Sequence, residues 1–148
     1  MRIALYKPDI PQNAGAIMRL CACMDVALDI IEPCGFVLDD KRMRRAGMDY
    51  LDALDLTRHA SWEAFVAATT GRLVLLTTKG AENYTDFAFA PDDVLLFGRE
   101  SAGVPDSVHD ACPARVKVPL APGMRSLNVA QTAAMVLGES LRQTNAFP

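Results

Sequence analysis

At 148 residues the chain is sized for one folded domain, and 51% hydrophobic against 22% charged residues supports a core and argues against disorder. Apolar runs such as Leu73–Leu76 and Val94–Phe97 reach only strand length, short of the roughly 20 residues that span a bilayer, which argues against a membrane protein. A net charge of −3 argues against a general nucleic-acid coat, so any RNA affinity must lie in a local patch or in patches joined by dimerisation.

In chain order, Ile3–Tyr6 predicts a strand; charge and proline arrive too soon in Met1–Pro8 for a signal peptide. A helix follows with Ile17, Leu20, Cys21 and Met24 on one face. Leu28–Ile31 predicts a second strand, Asp40–Ala46 a short basic helix or turn, and Leu54–Thr57 a short strand. Ser61 caps the next helix, whose face is Trp62, Phe65 and Val66. Arg72–Thr78 and Val94–Phe97 predict strands buried on both faces, separated by a polar stretch from Lys79 to Asp93. Pro105 opens a short helix through Val108, Ala111 and Cys112, Val116–Pro119 predicts the last strand, and Ser126–Thr144 the longest helix. Strands alternating with helices predict one α/β domain, 1–148, with a parallel sheet flanked by helices.

The last helix carries two apolar stripes, Leu127, Ala130, Ala134, Leu137 and Leu141 beside Val129, Ala133 and Val136. Covering a sheet needs one stripe, so the second suggests packing on another subunit, or a helix sunk deeper in its own core. Cys21 and Cys23 lack metal or redox spacing, Cys34 and Cys112 stand apart, and Cys21 reads as a small buried thiol in a reducing cytoplasm. The two histidines, His59 and His109, have no ligand spacing, so no metal is expected.

In a parallel sheet, ligands bind beyond the carboxyl ends of the strands. Three such loops put glycine or proline beside polar side chains just before a helix: Pro8–Gly15 leading to Arg19, Gly98–Pro105, and Pro119–Asn128. None fits the phosphate-loop, dinucleotide or nucleophile-elbow signatures. Each alone reads as an ordinary turn; their shared composition points to a ligand. Arg19 lies outside the apolar stripe and is either a solvated arginine or a guanidinium fork for a phosphate or carboxylate. Lys41, Arg42, Arg44 and Arg45 form either a solvated face or the place where an RNA phosphate is steered.

Asn13-x-Gly15-x-x-x-Arg19, then Leu95 to Pro105, then Val118-Pro119-Leu120 through Arg125-Ser126-Leu127-Asn128, resemble the three motifs of SPOUT RNA methyltransferases. The segments Ile31–Phe36, Asp39–Tyr50 and Leu76–Gly80 narrow this to the TrmL subgroup, the tRNA (cytidine/uridine-34-2′-O)-methyltransferases. The resemblance covers nearly the whole chain, in order and without large insertions.

It implies an α/β knot, a parallel sheet whose C-terminal segment threads a deep trefoil knot, and a homodimer packed through the first and last helices. It implies S-adenosylmethionine as cofactor and tRNA as partner, with Leu76, Thr77, Gly98, Glu100, Val118, Leu120, Ser126 and Leu127 around the cofactor. Arg19, Asn13, Ser126 and Asn128 become the candidate catalytic residues, and Lys41, Arg42, Arg44 and Arg45 the RNA contacts. Two departures stand out. The second motif often has proline where this chain has Arg99, which changes the loop's stiffness or adds an RNA contact, and the tail after Thr144 is short. The alternatives are 2′-O-methylation of rRNA or of another tRNA position, and a non-catalytic RNA-binding module.

Overall fold

The structure, a computed structural model, describes residues 1–39, 52–80 and 82–148. The expected basic element at Asp40–Ala46 therefore lies outside the described residues, as do Lys41, Arg42, Arg44 and Arg45.

The elements run β1 (Arg2–Tyr6), α1 (Pro11–Cys23), β2 (Ala27–Ile31), β3 (Leu56–His59), α2 (Trp62–Ala68), β4 (Leu73–Leu76), β5 (Glu82–Asn83), β6 (Val94–Phe97), α3 (Asp106–Ala111), β7 (Ala114–Lys117) and α4 (Val129–Thr144). Among the described residues these strands form one sheet in the order β3-β2-β1-β6-β4-β7-β5, and every pairing is parallel. All four residues of β6 are buried, because β1 and β4 flank it and helices cover both faces.

Alternation along the strands divides the core into two layers. Ile3, Leu5, Leu95 and Phe97 face α1 and α4, meeting Ile17, Cys21, Val136 and Leu141. Ala4, Tyr6, Val94 and Leu96 face the other way, meeting Phe65 of α2 and Val108 of α3. Cys21 is buried as expected and Cys112 is buried as well, and burial pushes Cys21 up to about 12 and Cys112 up to about 11. Both stay protonated and act as small apolar groups.

Several boundaries differ from the sequence reading. The strand expected at Leu54–Thr57 is Leu56–His59, the one expected at Val116–Pro119 is Ala114–Lys117, and the run Arg72–Thr78 keeps only Leu73–Leu76 as strand. The polar stretch after Lys79 hides β5, two residues that local composition could not reveal because they add to β7 only through long-range pairing. The last helix begins at Val129 rather than Ser126, since the Asn128 side chain accepts from the amides of Ala130 and Gln131 and fixes the start there. Its buried residues, Ala133, Val136, Leu137, Ser140 and Leu141, make one stripe that takes members of both predicted ones and adds Ser140. Ala134 and Met135 face outward.

The end of β7 is enclosed by backbone. Thr77 N donates to the Val116 carbonyl at 3.0 Å and Tyr84 N to that of Lys117 at 2.9 Å. A Cβ on Gly80 would lie 2.6 Å from the Val116 carbonyl carbon, a distance that only glycine tolerates. From this enclosure the chain runs through residues 118–128 back to α4, which packs against α1.

Candidate active site

The parallel ladders of β4, β6 and β7 stop at Leu76, Phe97 and Lys117. Beyond these ends lies a cavity of about 480 Å³, and the residues just past the ladders, Thr77, Gly98 and Val118, line it. Its apolar wall includes Leu76, Val118, Leu120 and Leu127. Asn13, Glu100, Ser126 and Asn128 add polar groups. Three loops separated by tens of residues in sequence thus converge, because parallel strands put all their carboxyl ends on one edge.

The second loop is shaped by two glycines. Arg99 and Gly103 exchange backbone hydrogen bonds at 3.0 and 2.8 Å, folding the loop tightly. A Cβ on Gly98 would sit 2.7 Å from the Gly103 carbonyl carbon, and Gly103 itself holds φ +67°, in the left-handed region.

Side chains tie the loops together. Asn13, 8% exposed at the start of α1, donates from Nδ2 to Glu100 Oε1 at 3.2 Å and accepts at Oδ1 from Asn128 Nδ2 at 2.8 Å. The Asn128 carbonyl oxygen Oδ1 is meanwhile taken by the α4 amides of Ala130 and Gln131, at 2.8 and 3.3 Å. The other Glu100 oxygen, Oε2, accepts from Asp9 N at 3.0 Å. One hydrogen-bonded chain therefore runs from the second motif through Asn13 of the first and into the third.

Asp9 secures the same corner: Ser101 Oγ donates to its carboxylate, and Arg99 Nη2 approaches it at 3.5 Å. The hydrogen bond with Glu100, then that from Ser101, with Arg99 adding attraction, hold the Asp9 carboxyl down to about 2. A lowered folded value means that this contribution is complete above the ordinary carboxylate range and is lost as pH falls from about 4 toward 2. Asp9→Asn should therefore flatten the acid limb of the melting temperature over that range. Superimposable acid limbs for the two proteins would contradict the assignment.

All eight residues expected around the cofactor line the cavity, and so do Asn13, Ser126 and Asn128. Arg19 does not: it is exposed on α1, away from the cavity wall. The sequence reading missed Phe97, Val104 and Thr132, which also line the cavity. Phe97 was recoverable, since it ends a buried strand at its carboxyl edge; Thr132 depends on where α4 lies and left no local signal. Asp9 was seen only as part of a loop. Among the described residues no cluster of histidine, cysteine or carboxylate side chains has the make-up of a metal site.

Residues 1–138 match the model of the SpoU rRNA Methylase family. The chain is 62% identical over 148 residues to a protein of Beijerinckia indica named tRNA (cytidine(34)-2′-O)-methyltransferase, covering 98% of this chain and 92% of that one. A solved structure described as giving insights into the 2-OH methylation of C/U34 on tRNA superposes with a TM-score of 0.90 at 36% identity, covering 96% of this chain and 94% of that one. The SpoU methyltransferase AviRb from Streptomyces viridochromogenes, in complex with AdoMet, matches with a TM-score of 0.83 and 28% identity over 97% of this chain and 60% of that one. The expected α/β-knot class and the resemblance to the TrmL subgroup are borne out by these matches. With its three loops converging at the sheet's carboxyl edge and its near-full-length match to these proteins, this chain belongs to the SpoU rRNA Methylase family.

Proposed function

We propose that this chain methylates the ribose 2′-hydroxyl of the wobble nucleotide of a tRNA, cytidine or modified uridine 34, with S-adenosylmethionine as donor. The observation that carries this reading is the cavity in which three distant loops meet, joined through Asn13, Glu100 and Asn128.

The residues present fit the donor. The cavity lies within the usual range for small ligands, roughly 300–1,000 Å³. Leu76, Val118, Leu120 and Leu127 offer an apolar slot for an adenine. Backbone at Gly98 and Val118, beyond the last ladder bonds, offers polar edges to the ring and sugar, with Thr77, Glu100 and Ser126 beside them. When bound, S-adenosylmethionine supplies a methyl group on a sulfonium, a good leaving group for in-line displacement by an oxygen.

What remains for the protein is the weakly acidic hydroxyl, which needs a proton acceptor or a field that favours the developing alkoxide. Asn13, Ser126 and Asn128 sit on the cavity wall, where they can orient the ribose, and Glu100 fixes the loops around it. Arg19 supplies the field. A guanidinium with a pKa above about 12 is a poor base, yet it holds a phosphate and stabilises a forming oxyanion. Because Arg19 lies off the wall of its own cavity, it acts through an RNA phosphate or on the cavity of a second copy.

A homodimer packed through α1 and α4 suits the outer surface. Leu127 and Met135 are 39% and 42% exposed, and Gly138 has open space where a side chain would stand. Sedimentation at micromolar concentration should give twice the chain mass; a monomer would remove this element. On this reading the dimer surface holds the tRNA. Lys41, Arg42, Arg44 and Arg45 steer the phosphates to it. Neutralising all four should weaken tRNA binding and reduce the slope of log affinity against log salt by about 0.9 per lost contact. An unchanged slope would return them to a solvated face.

Among the described residues no helix is long and apolar enough to cross a membrane, and the substrate places the work in the cytoplasm. The test is mass spectrometry of tRNA nucleosides from cells with and without the gene. Loss of 2′-O-methylation at the wobble position is expected. Loss at another nucleotide, or in rRNA, would replace this reading with one of the alternatives, and no loss anywhere would favour a non-catalytic module.

A further inference from the structure

We infer that Arg99 is the specificity-determining residue for the amino-acid end of the donor, taking its α-carboxylate; this rests on the cavity being the donor site. Among the described residues, those that line the cavity include one cation, Arg99, and one anion, Glu100, adjacent in the chain. Glu100 is already engaged, accepting from Asn13 Nδ2 and from the Asp9 amide. Arg99 is not comparably used. Among the described residues, its guanidinium reaches an acceptor only through Nη2, the Asp9 carboxylate at a long 3.5 Å, and Nε is buried without a partner.

A guanidinium packed for structure alone would meet a carboxylate through two short bonds, as Arg72 meets Asp93 at 2.7 and 2.8 Å in this same chain. Arg99 instead keeps a side chain that is 39% exposed at the cavity wall, held at one corner by Asp9. The tight bridge between Arg99 and Gly103 fixes its backbone, so the fork is placed in advance. S-Adenosylmethionine carries a single anionic group, the α-carboxylate, whose planar pair of oxygens matches that fork. The sulfonium and the ammonium are cationic, so neither competes for the guanidinium. An RNA phosphate is the competing anion; the closed loop and the position on the wall of the small-ligand cavity favour the carboxylate.

The experiment is calorimetric titration of wild type, Arg99→Ala and Arg99→Lys with two probes, S-adenosylhomocysteine and methylthioadenosine. The second retains adenine, ribose and sulfur but has no amino-acid group. Arg99→Ala should weaken S-adenosylhomocysteine about ten- to a hundredfold, the size of a hydrogen bond between charged groups, and leave methylthioadenosine within about twofold. Arg99→Lys should fall between wild type and Arg99→Ala. Equal weakening of both probes would make Arg99 a loop-shaping residue and overturn the inference. Unchanged S-adenosylhomocysteine binding with weaker tRNA binding would overturn it in favour of a phosphate contact. If wild type bound neither probe, the donor-site reading would fall as well, whereas wild-type binding of both with no effect of Arg99→Ala would sink this inference alone.

Discussion

Arg19→Ala is expected to lower kcat by about 10²–10³-fold while donor affinity stays within about twofold, the pattern of a group that stabilises charge only as the reaction proceeds. The structure supports that split. Arg19 is exposed on α1 and does not line the cavity, so removing it leaves the donor's surroundings intact. On the proposed mechanism its contribution requires RNA, either as the phosphate it orients or as the ribose that a second copy presents. Single-turnover kinetics with saturating tRNA, alongside a donor titration, separates the two quantities. If turnover is retained, Arg19 has no part in the mechanism; if donor binding is lost as well, the residue is a structural support of the cavity.

The second large effect is expected at Asn128. Its side chain caps α4 through two amides and donates to Asn13, so one residue fixes the start of the last helix and locks the third loop to the first. Losing the cap costs about 1 kcal/mol, and leaving the buried Asn13 oxygen without its donor costs about 1–3 kcal/mol more. At this chain length Asn128→Ala should lower Tm by about 5–15 °C. Asn128→Asp keeps an oxygen for the cap and loses the donated hydrogen bond, so it should fall between the two. Donor affinity should decline in step, since Ser126 and Leu127 immediately precede the released cap. A Tm unchanged in Asn128→Ala would mean that the three loops are held together by something other than this chain of amides.

The elements that local pattern could reveal were legible, and those that depend on distant partners were not. Leu95 and Phe97 face one way and Leu96 the other along a run bounded by polar residues, so β6 was readable as a doubly buried strand from composition. β5 was not, because Glu82 and Asn83 have no strand-like character and pair only once β7 has passed beside them. The same contrast holds in the site. Glycine and proline in three loops, together with the family resemblance, pointed to eight of the residues that line the cavity. The bond between Asn13 and Asn128 spans 115 positions, and no spacing rule predicts it. Asp9 shows the limit most clearly: an aspartate between two prolines reads as a turn, and its role as clasp for Arg99 and Ser101 exists only in three dimensions. Arg19 was legible as a residue off the core; that it also lies off the cavity required the fold.

The most direct measurement of the central claim uses purified protein, S-adenosylmethionine labelled in its methyl group and an unlabelled tRNA transcript, followed by nuclease digestion to locate the label. The account predicts a single labelled 2′-O-methyl ribose at the wobble nucleotide, abolished when the cavity is blocked by S-adenosylhomocysteine. Label on a base, label at a different nucleotide, or none with a chain that is folded and presented with both substrates would contradict it.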